Sequence, residues 1–482
     1  MSVLLLIAIT LGSSFLVLKL FFKKKDGTKN LPRGSLGYPL IGETFSFLEA
    51  QKKDKGFEWI SDRVKKYGAV FKTSLMGAPT VVIVGQSGNK FILGSDEAVL
   101  IAKQPKTLST IAGKHNIFEL TGSRYQLIKG AVSIFMKPSS LQTNIKQMDD
   151  LITGFFLKST KETDIIPTVD FMKRLTFNIA SVVLFGIQDN LLIEDFCHDF
   201  SIAFKAVWSI PVNFPGTAYW RGMRARSRII ARLMPIIRKK NADLREGKSH
   251  PTSDILSSLI AVKTQNEDVI TDEMIVDNFV TLMIASHDTS AILMSLMVWK
   301  LSKDPEIHLE VFEEQVEIQR DREGRDDWNL TWDDIQKMKY TWRVAQELMR
   351  IIPPVFGSFR KAVNDTSFGG FDIPKGWQVF WSAYNTHMDN DIFVNPMEFD
   401  PSRFETNLPI PIPPYSYIPF GGGQHSCLGN EFARVETLIT IHKLVTMYEW
   451  SLIHPNEVIT RQPMPYPSMG LPIKVKPISI TS

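Results

Sequence analysis

The stretch Pro419-Phe-Gly-Gly-Gly-Gln-His-Ser-Cys-Leu-Gly-Asn430 decides how the rest of the chain is read. Cys427 is set among Phe420, Gly421, Gly423, His425 and Gly429, and a helical pattern follows. A thiolate kept in an apolar setting needs neighbours that stabilise its charge. Backbone N–H groups of a glycine-rich turn and the N-terminus of the following helix supply them. Glycine also lets a backbone approach a flat ligand where a Cβ would clash, and His425 can hydrogen-bond an acidic group on such a ligand. A thiolate is also a strong donor to a metal ion. The plainer reading is an ordinary turn around a buried cysteine. At an average glycine usage of about 7%, three glycines at fixed places match by chance in roughly 3 of 10,000 windows, so glycines alone decide little. The six residues taken together decide it.

The chain has 482 residues, 44% hydrophobic and 22% charged, a balance that can bury a large core. Its net charge of +4, from 55 basic and 51 acidic side chains, is too small and dispersed to suggest nucleic acid as a partner. Two cysteines in so long a chain exclude a disulfide framework and point to a reducing compartment. Cys197, in Glu194-Asp-Phe-Cys-His, lacks the setting of Cys427 and reads as a small buried hydrophobe.

Residues 3–22 (VLLLIAITLGSSFLVLKLFF) are almost wholly apolar and run straight into Lys23, Lys24 and Lys25. About 20 apolar residues match the hydrocarbon thickness of a bilayer, and basic residues on the C-terminal side keep the remainder in the cytoplasm. A cleaved signal peptide is the competing reading. It is disfavoured by the missing basic n-region and the length of the apolar run. The expected organisation is a transmembrane signal anchor over 1–22, a basic and Pro/Gly-rich connector over 23–50, and a catalytic domain over 51–482. Strand signals gather at residues 69–84, broken like a hairpin at Gly77-Ala-Pro79, and at 355–380, with a turn at Pro374-Lys-Gly376. Helical periodicity covers most of the rest, notably 271–303, 331–352 and 430–448. The expected fold is mainly α with a small β-rich lobe.

Two further constellations carry chemistry. Glu347-Leu-Met-Arg350 places opposite charges on one helix face, a pairing that is routine on surface helices. Ala285-Ser-His-Asp288-Thr289-Ser290 puts an acid beside an alcohol inside a long apolar helix, which is costly unless they serve something. A threonine hydroxyl can bond the carbonyl four residues back and bend the helix. The acid–alcohol pair can then relay protons. A polar cluster on an amphipathic surface helix is the alternative.

These segments resemble the cytochrome P-450 family. The cysteine stretch is similar to its signature Phe-Gly-x-Gly-x-(Arg/His)-x-Cys-x-Gly, and the resemblance runs along essentially the whole chain. It implies a cytochrome P-450 fold carrying haem b, with Cys427 as axial metal ligand and Phe420, Gly421, Gly423, His425 and Gly429 around the cofactor. It implies a structural triad of Glu347, Arg350 and Arg403, the last within Phe399-Asp-Pro-Ser-Arg-Phe404. Asp288 and Thr289 would be catalytic, handling protons, with Ser286 standing where the family usually has glycine. Tyr125 and Lys129 occupy the places of an aromatic and an arginine that bind haem propionates, although lysine cannot make the forked contact. Ile284, Ala285, Val355, Phe356 and Met469 would line an apolar substrate pocket, and each reads equally well as core.

Local strings such as Leu31-Pro-Arg-Gly-Ser-Leu-Gly-Tyr-Pro-Leu-Ile-Gly-Glu-Thr44 and Pro211-Val-Asn-Phe-Pro-Gly-Thr217 resemble the plant clan acting on terpenoids and steroid-type hormones. Within it the likeness runs to β-amyrin oxidases, then taxane hydroxylases. The implied activity is oxidation of a bulky apolar terpenoid, a triterpenoid first, using O2 and electrons from NADPH through NADPH–cytochrome P-450 reductase. The implied location is the endoplasmic reticulum membrane, single-pass, anchored in lipid through residues 3–22. Alternatives are a diterpenoid (taxane-like) or steroid-hormone hydroxylase, a haem-thiolate isomerase needing no reductase, and an inactive terpenoid-binding protein. The retained Asp288-Thr289 pair argues against the isomerase.

Overall fold

A computed structural model describes residues 29–478 apart from 40, 267, 325, 326, 408, 462 and 463. The anchor expected over residues 3–22, and the lysines after it, lie outside the described residues. The helices that build the site are α1 (Gly122–Met136), α2 (Thr168–Ile179), α3 (Asn190–Val207), α4 (Ala218–Arg245), α5 (Asp272–Lys303), α6 (Lys339–Ile351) and α7 (Asn430–Met447). Strands β1 (Val70–Leu75), β2 (Ala78–Ile83), β3 (Leu100–Lys103), β4 (Gly357–Ala362) and β5 (Gln378–Ser382) form one sheet in the order β1-β2-β5-β4-β3. Only the β2–β5 pair is parallel within this sheet. Three smaller sheets, of two or three strands, complete the β structure of the described residues.

Helix α5 is the spine. Its N-cap Thr271 accepts from Met274 N, Asp272 and Glu273 occupy the first turn, and Lys300 and Lys303 the last, each sign matched to the helix dipole. Buried positions run round most of its circumference, the signature of a helix enclosed by others. Among the described residues it is the one helix apolar and long enough to cross a membrane, yet 78% of its apolar window is buried inside the protein.

The helix expected over 331–352 is in fact two. A capping box between Thr331 and Asp334 opens Trp332–Lys337, and Met338 leaves helical geometry at ψ 54. The break is stabilised from outside the segment. Glu314 accepts from Tyr340 N at 2.6 Å and Thr341 N at 2.9 Å, replacing the carbonyls an unbroken helix would offer. The first hairpin also differs in detail from expectation. Leu75 pairs with Ala78, so the turn is Met76-Gly77, with φ of 52 and 77. Two positive φ values give the twist a two-residue hairpin favours. Pro79 therefore belongs to β2, before the ladder with β5 begins at Thr80, where a residue without N–H is tolerated. The segment after β4 holds a further small hairpin, Thr366–Phe368 with Phe371–Ile373, before the turn in which Trp377 N donates to Pro374 O.

The connector is fastened to this body. Lys72 N donates to Arg33 O at 2.9 Å, and Asn30 N to Asp372 Oδ2 at 2.7 Å. Helix Thr44–Lys52 spans the boundary expected at residue 50 and packs on β1.

Above α5 a buried polar clamp joins three elements. Asp277 is fully buried and accepts from Arg226 of α4 and from His115 N. Its neighbour Asn278 accepts from Ile117 N at 2.8 Å and donates to His115 O at 3.0 Å. Gly113 approaches so closely that a Cβ there would lie 1.9 Å from the Asp277 carboxylate. Removing one partner of a buried ion pair leaves the other charged and unsatisfied, at a cost of about 3–5 kcal/mol. Asp277→Ala should lower stability by that order in denaturant titration, and should make the segment 113–120 the first cleaved in limited proteolysis.

Candidate active site

The cysteine loop is wound by its own backbone. Gly421 N donates to Ile418 O at 3.1 Å, Ser426 N to Gly423 O at 3.2 Å, and Cys427 N to Phe420 O at 2.9 Å. Gly421 and Gly423 take φ of 70 and 67, a region L side chains avoid. Their roles separate. A Cβ on Gly423 would lie 1.9 Å from Leu93 O, so this glycine seats the loop on helix Gln86–Gly94. At Gly421 the nearest atom would be 3.9 Å away and at Gly429 nothing lies within 4 Å, so that side of the loop borders open space. Cys427 is reachable by solvent, yet burial pushes its thiol up, opposed only by the Gly429 N–H. The protein alone leaves a neutral thiol; a metal cation would draw off the proton.

The loop hangs from α6. Glu347 and Arg350 are both fully buried and bonded through two contacts of 2.7 Å, while Arg403 Nε stands 3.4 Å from Glu347 Oε1. Arg350 also donates to His387 O at 3.0 Å and Glu398 O at 3.1 Å, and Asp400 N donates to Glu347 at 3.0 Å. His387 closes the connection. Its Nδ1 faces Arg350 O at 3.2 Å, and its Nε2 accepts from Ile418 N at 2.9 Å, one residue before the quoted stretch. That pattern requires a neutral ring. Burial, above all, pushes His387 down to about 3.

One stripe of α5 is open. Met283, His287, Asp288 and Ser290 are buried, whereas Leu282, Ala285, Ser286 and Thr289 are only half-buried, at the spacing of a single helix face. Thr289 Oγ1 donates to Ala285 O at 2.7 Å, and α5 stays helical on both sides of this bond. Ser286 Oγ reaches Met283 O at 3.4 Å. Asp288 is buried, accepting from Tyr466 Oη at 2.6 Å and facing Lys173 Nζ at 3.1 Å. Helix α7, which starts just past Cys427, packs against α5, and its Glu436 meets Ser290. The cysteine loop and the open stripe are thus held by two helices in contact.

A polar cluster borders the loop. Tyr125 Oη and Lys129 Nζ each donate to Gln424 O at 2.7 Å. The His425 ring lies 4.7 Å from that of Tyr125, and its Nε2 is 3.7 Å from Glu97. Burial first, then the Arg360 guanidinium, pushes His425 down. Sequence reading missed Arg360. It is 8% exposed, its one hydrogen bond in the described structure is a 3.5 Å contact to Phe359 O, and no carboxylate pairs with it there. The alternation along β4, Arg360 buried, Lys361 exposed, Ala362 buried, was the available signal. A buried guanidinium without an anion is an unmet electrostatic demand. A soft-donor sulfur, open space beside the loop and a cationic rim fit a flat metal macrocycle with acidic substituents.

The expected pocket residues do not form one group. Ile284 is half-buried against the main core, and Ala285 lies on the open stripe. Phe356 packs in a separate cluster with Phe47, Trp59, Phe380 and Tyr384, while Val355 and Met469 are exposed. Cys197 is partly buried against the main core.

His387 makes a measurable pH dependence. Its folded value of about 3 lies below the ordinary 6.5, so its contribution is complete above pH 6.5 and is lost as pH falls toward 3. Stability should drop by about 1.4 kcal/mol per pH unit across that window from this group alone. His387→Phe should remove that share of the slope in urea titrations at pH 4 to 7. At neutral pH it should be less stable by about 1–3 kcal/mol, since the Ile418 N–H is left unpaired.

The cytochrome P-450 family model matches residues 32–481. A beta-amyrin 28-monooxygenase of Kalopanax septemlobus is 36% identical over 464 residues, 95% of each chain. A taxane 10-beta-hydroxylase of Taxus cuspidata is 36% identical over 469 residues, 97% of this chain and 94% of that one. A solved, retinoic acid-bound cyanobacterial structure superposes with a TM-score of 0.82 at 27% identity, covering 94% of this chain and all of its own. The described fold, mainly helical with small sheets, is theirs. The chain belongs to the cytochrome P-450 family and is a monooxygenase, with the haem-thiolate cofactor that family membership implies.

Proposed function

We propose that Cys427 holds haem b through its sulfur, and that the enzyme oxidises a bulky apolar terpenoid, a triterpenoid first, with electrons from NADPH passed on by a cytochrome P-450 reductase. The observation that carries this is the solvent-reachable Cys427 on a loop leading into α7, a helix packed against the core helix α5, whose stripe of Leu282, Ala285, Ser286 and Thr289 is only half-buried. Arg360, Lys129, Tyr125 and His425 would hold the propionates, with the forked contact made by Arg360. Bound there, haem supplies the activation of dioxygen and attack on an unactivated carbon.

The chain's own residues do the remaining work. Glu347, Arg350 and Arg403 position the loop through His387. Thr289 keeps its hydroxyl proton on Ala285 O until a better acceptor arrives, and the Asp288 carboxylate holds and passes protons beside it. Ala285 gives the substrate an apolar wall, and the Ser286 hydroxymethyl narrows it. The terpenoid assignment draws on the names of the two plant relatives. Residues 1–22 would anchor the enzyme in the endoplasmic reticulum membrane, with 23–50 as connector and 51–482 as a cytoplasmic catalytic domain. That reading rests on the apolar run and its trailing lysines.

A reduced carbon monoxide difference spectrum should show the red-shifted Soret band of thiolate-ligated haem, and Cys427→Ala should abolish both band and turnover. In cells co-expressing a reductase, triterpene scaffolds should be consumed; consumption of diterpenes alone would end the triterpenoid assignment. Arg360→Met should raise the rate of haem transfer to apomyoglobin about tenfold, the equivalent of ~1.4 kcal/mol. An unchanged rate would remove Arg360 from the cofactor site.

A further inference from the structure

Among the described residues, the other buried carboxylates that pair with a cation satisfy both oxygens, while Glu457, which pairs with none there, leaves one bare. Glu347 takes Arg350 on each oxygen, and Asp277 takes Arg226 on one and His115 N on the other. Asp288 does not. Tyr466 Oη at 2.6 Å and Lys173 Nζ at 3.1 Å both crowd onto Oδ1. Oδ2 is buried with no hydrogen-bond partner in the described structure. An acceptor left bare in the interior costs about 1–3 kcal/mol, so a purely structural ion pair gives no reason for this one-sided arrangement.

The three side chains close on one another. Lys173 Nζ lies 4.2 Å above the Tyr466 ring, within cation–π range. Tyr466 comes from the short strand Pro465–Pro467 and Lys173 from α2, so Asp288 is gripped by two elements besides its own. The Lys173 side chain is 30% exposed against 2% for Asp288, so the unit reaches from solvent to the helix interior. The other titratable neighbours are His287 on the same helix, held neutral at about 4 by burial, and from α7 Glu436, pushed up to about 8, which meets Ser290 instead. Burial and the Asp288 charge push the Tyr466 phenol well up, so it remains a donor.

We propose that Tyr466 is a positioning residue for Asp288: with Lys173 it pins Oδ1, leaving Oδ2 as the oxygen that takes up and releases protons. The proton enters on Oδ2 from a water molecule and leaves from Oδ2 to the next acceptor. The hydrogen bond from Tyr466 and the ion pair with Lys173 on Oδ1 stay intact, so the carboxylate need not rotate between loading and delivery. Met, Val or Phe at position 466 could pack equally well and would lose this grip. The inference rests on the role proposed above for Asp288.

Tyr466→Phe removes the hydroxyl and keeps the ring under Lys173. In the resting holoenzyme, without substrate or reductase, difference infrared spectra against Asp288→Asn isolate the Asp288 carboxyl band. Its titration midpoint should move up by about one pH unit in Tyr466→Phe, and the acidic limb of the pH–rate profile should move with it. Lys173→Gln, at a partly exposed position, should move both in the same direction. An unshifted midpoint in Tyr466→Phe overturns the proposal, as does a shifted midpoint with an unmoved pH profile. An Asp288→Asn enzyme keeping the wild-type profile overturns instead the role of Asp288, while the infrared arm still decides whether Tyr466 governs that carboxyl.

Discussion

Glu347 lies at the bottom of the molecule's chain of support: one buried carboxylate between the guanidiniums of Arg350 and Arg403. Two cations and one anion leave an excess positive charge, and carbonyl dipoles absorb it, from His387 and Glu398 on Arg350 and from Asn395 on Arg403. Those carbonyls belong to the irregular segment between β5 and the cysteine loop, which has few ladder bonds of its own. Buried ion pairs contribute little net stability once desolvation is counted. Their value here is placement. Each N–H of a planar guanidinium points in a fixed direction, so segments far apart in sequence are held at defined positions relative to α6. His387 passes that order to Ile418, and Ile418 O receives Gly421 N at the start of the turn that ends in Cys427.

The second constraint is α5. A helix enclosed on most sides cannot shift without disturbing several clusters, so whatever it presents on its open stripe is held still. Thr176 of α2 donates to His287 O at 2.8 Å, occupying a backbone carbonyl just before the acid–alcohol pair. The same α2 contributes Lys173 to Asp288. The stripe carrying Ala285, Ser286 and Thr289 and the flank carrying His287 and Asp288 therefore have separate partners, one facing open space and the other facing protein.

Much of this was legible in the sequence where the signal is local. The cysteine loop, the Glu347–Arg350 spacing and the cap and charge pattern of α5 each lie within a few residues of chain, and the spine helix begins where Thr271 says it should. What the sequence did not reveal depends on partners far along the chain. Glu314 ends one helix and begins another by capping Tyr340 and Thr341 from a neighbouring element, so the periodicity of 331–352 looked unbroken. Pro79 suggested a turn, but the ladder it would have interrupted begins one residue later. Arg360, His387 and Tyr466 carry no local motif. Each acquires its role only when the fold brings it to a carbonyl, a carboxylate or an aromatic ring from another element. Phe356 shows the reverse: an apolar residue in a segment expected to line the pocket is drawn into an aromatic cluster with Phe47 and Phe380.

Lys129 and Ser286, the two departures from the family pattern, become intelligible in this frame. A lysine at the propionate position offers a point charge, and in this structure it spends one donor on Gln424 O. The planar, forked donor that the position lacks is present at Arg360, which approaches the same rim from the sheet and has Tyr125 as its electrostatic neighbour. In the proposed site, recognition of acidic groups would thereby be shared between helix α1 and strand β4. Ser286 adds a hydroxymethyl to the open stripe, but its hydroxyl turns back toward Met283 O. What it presents outward is volume more than polarity, which would narrow the proposed substrate space beside Thr289 and leave its wall apolar.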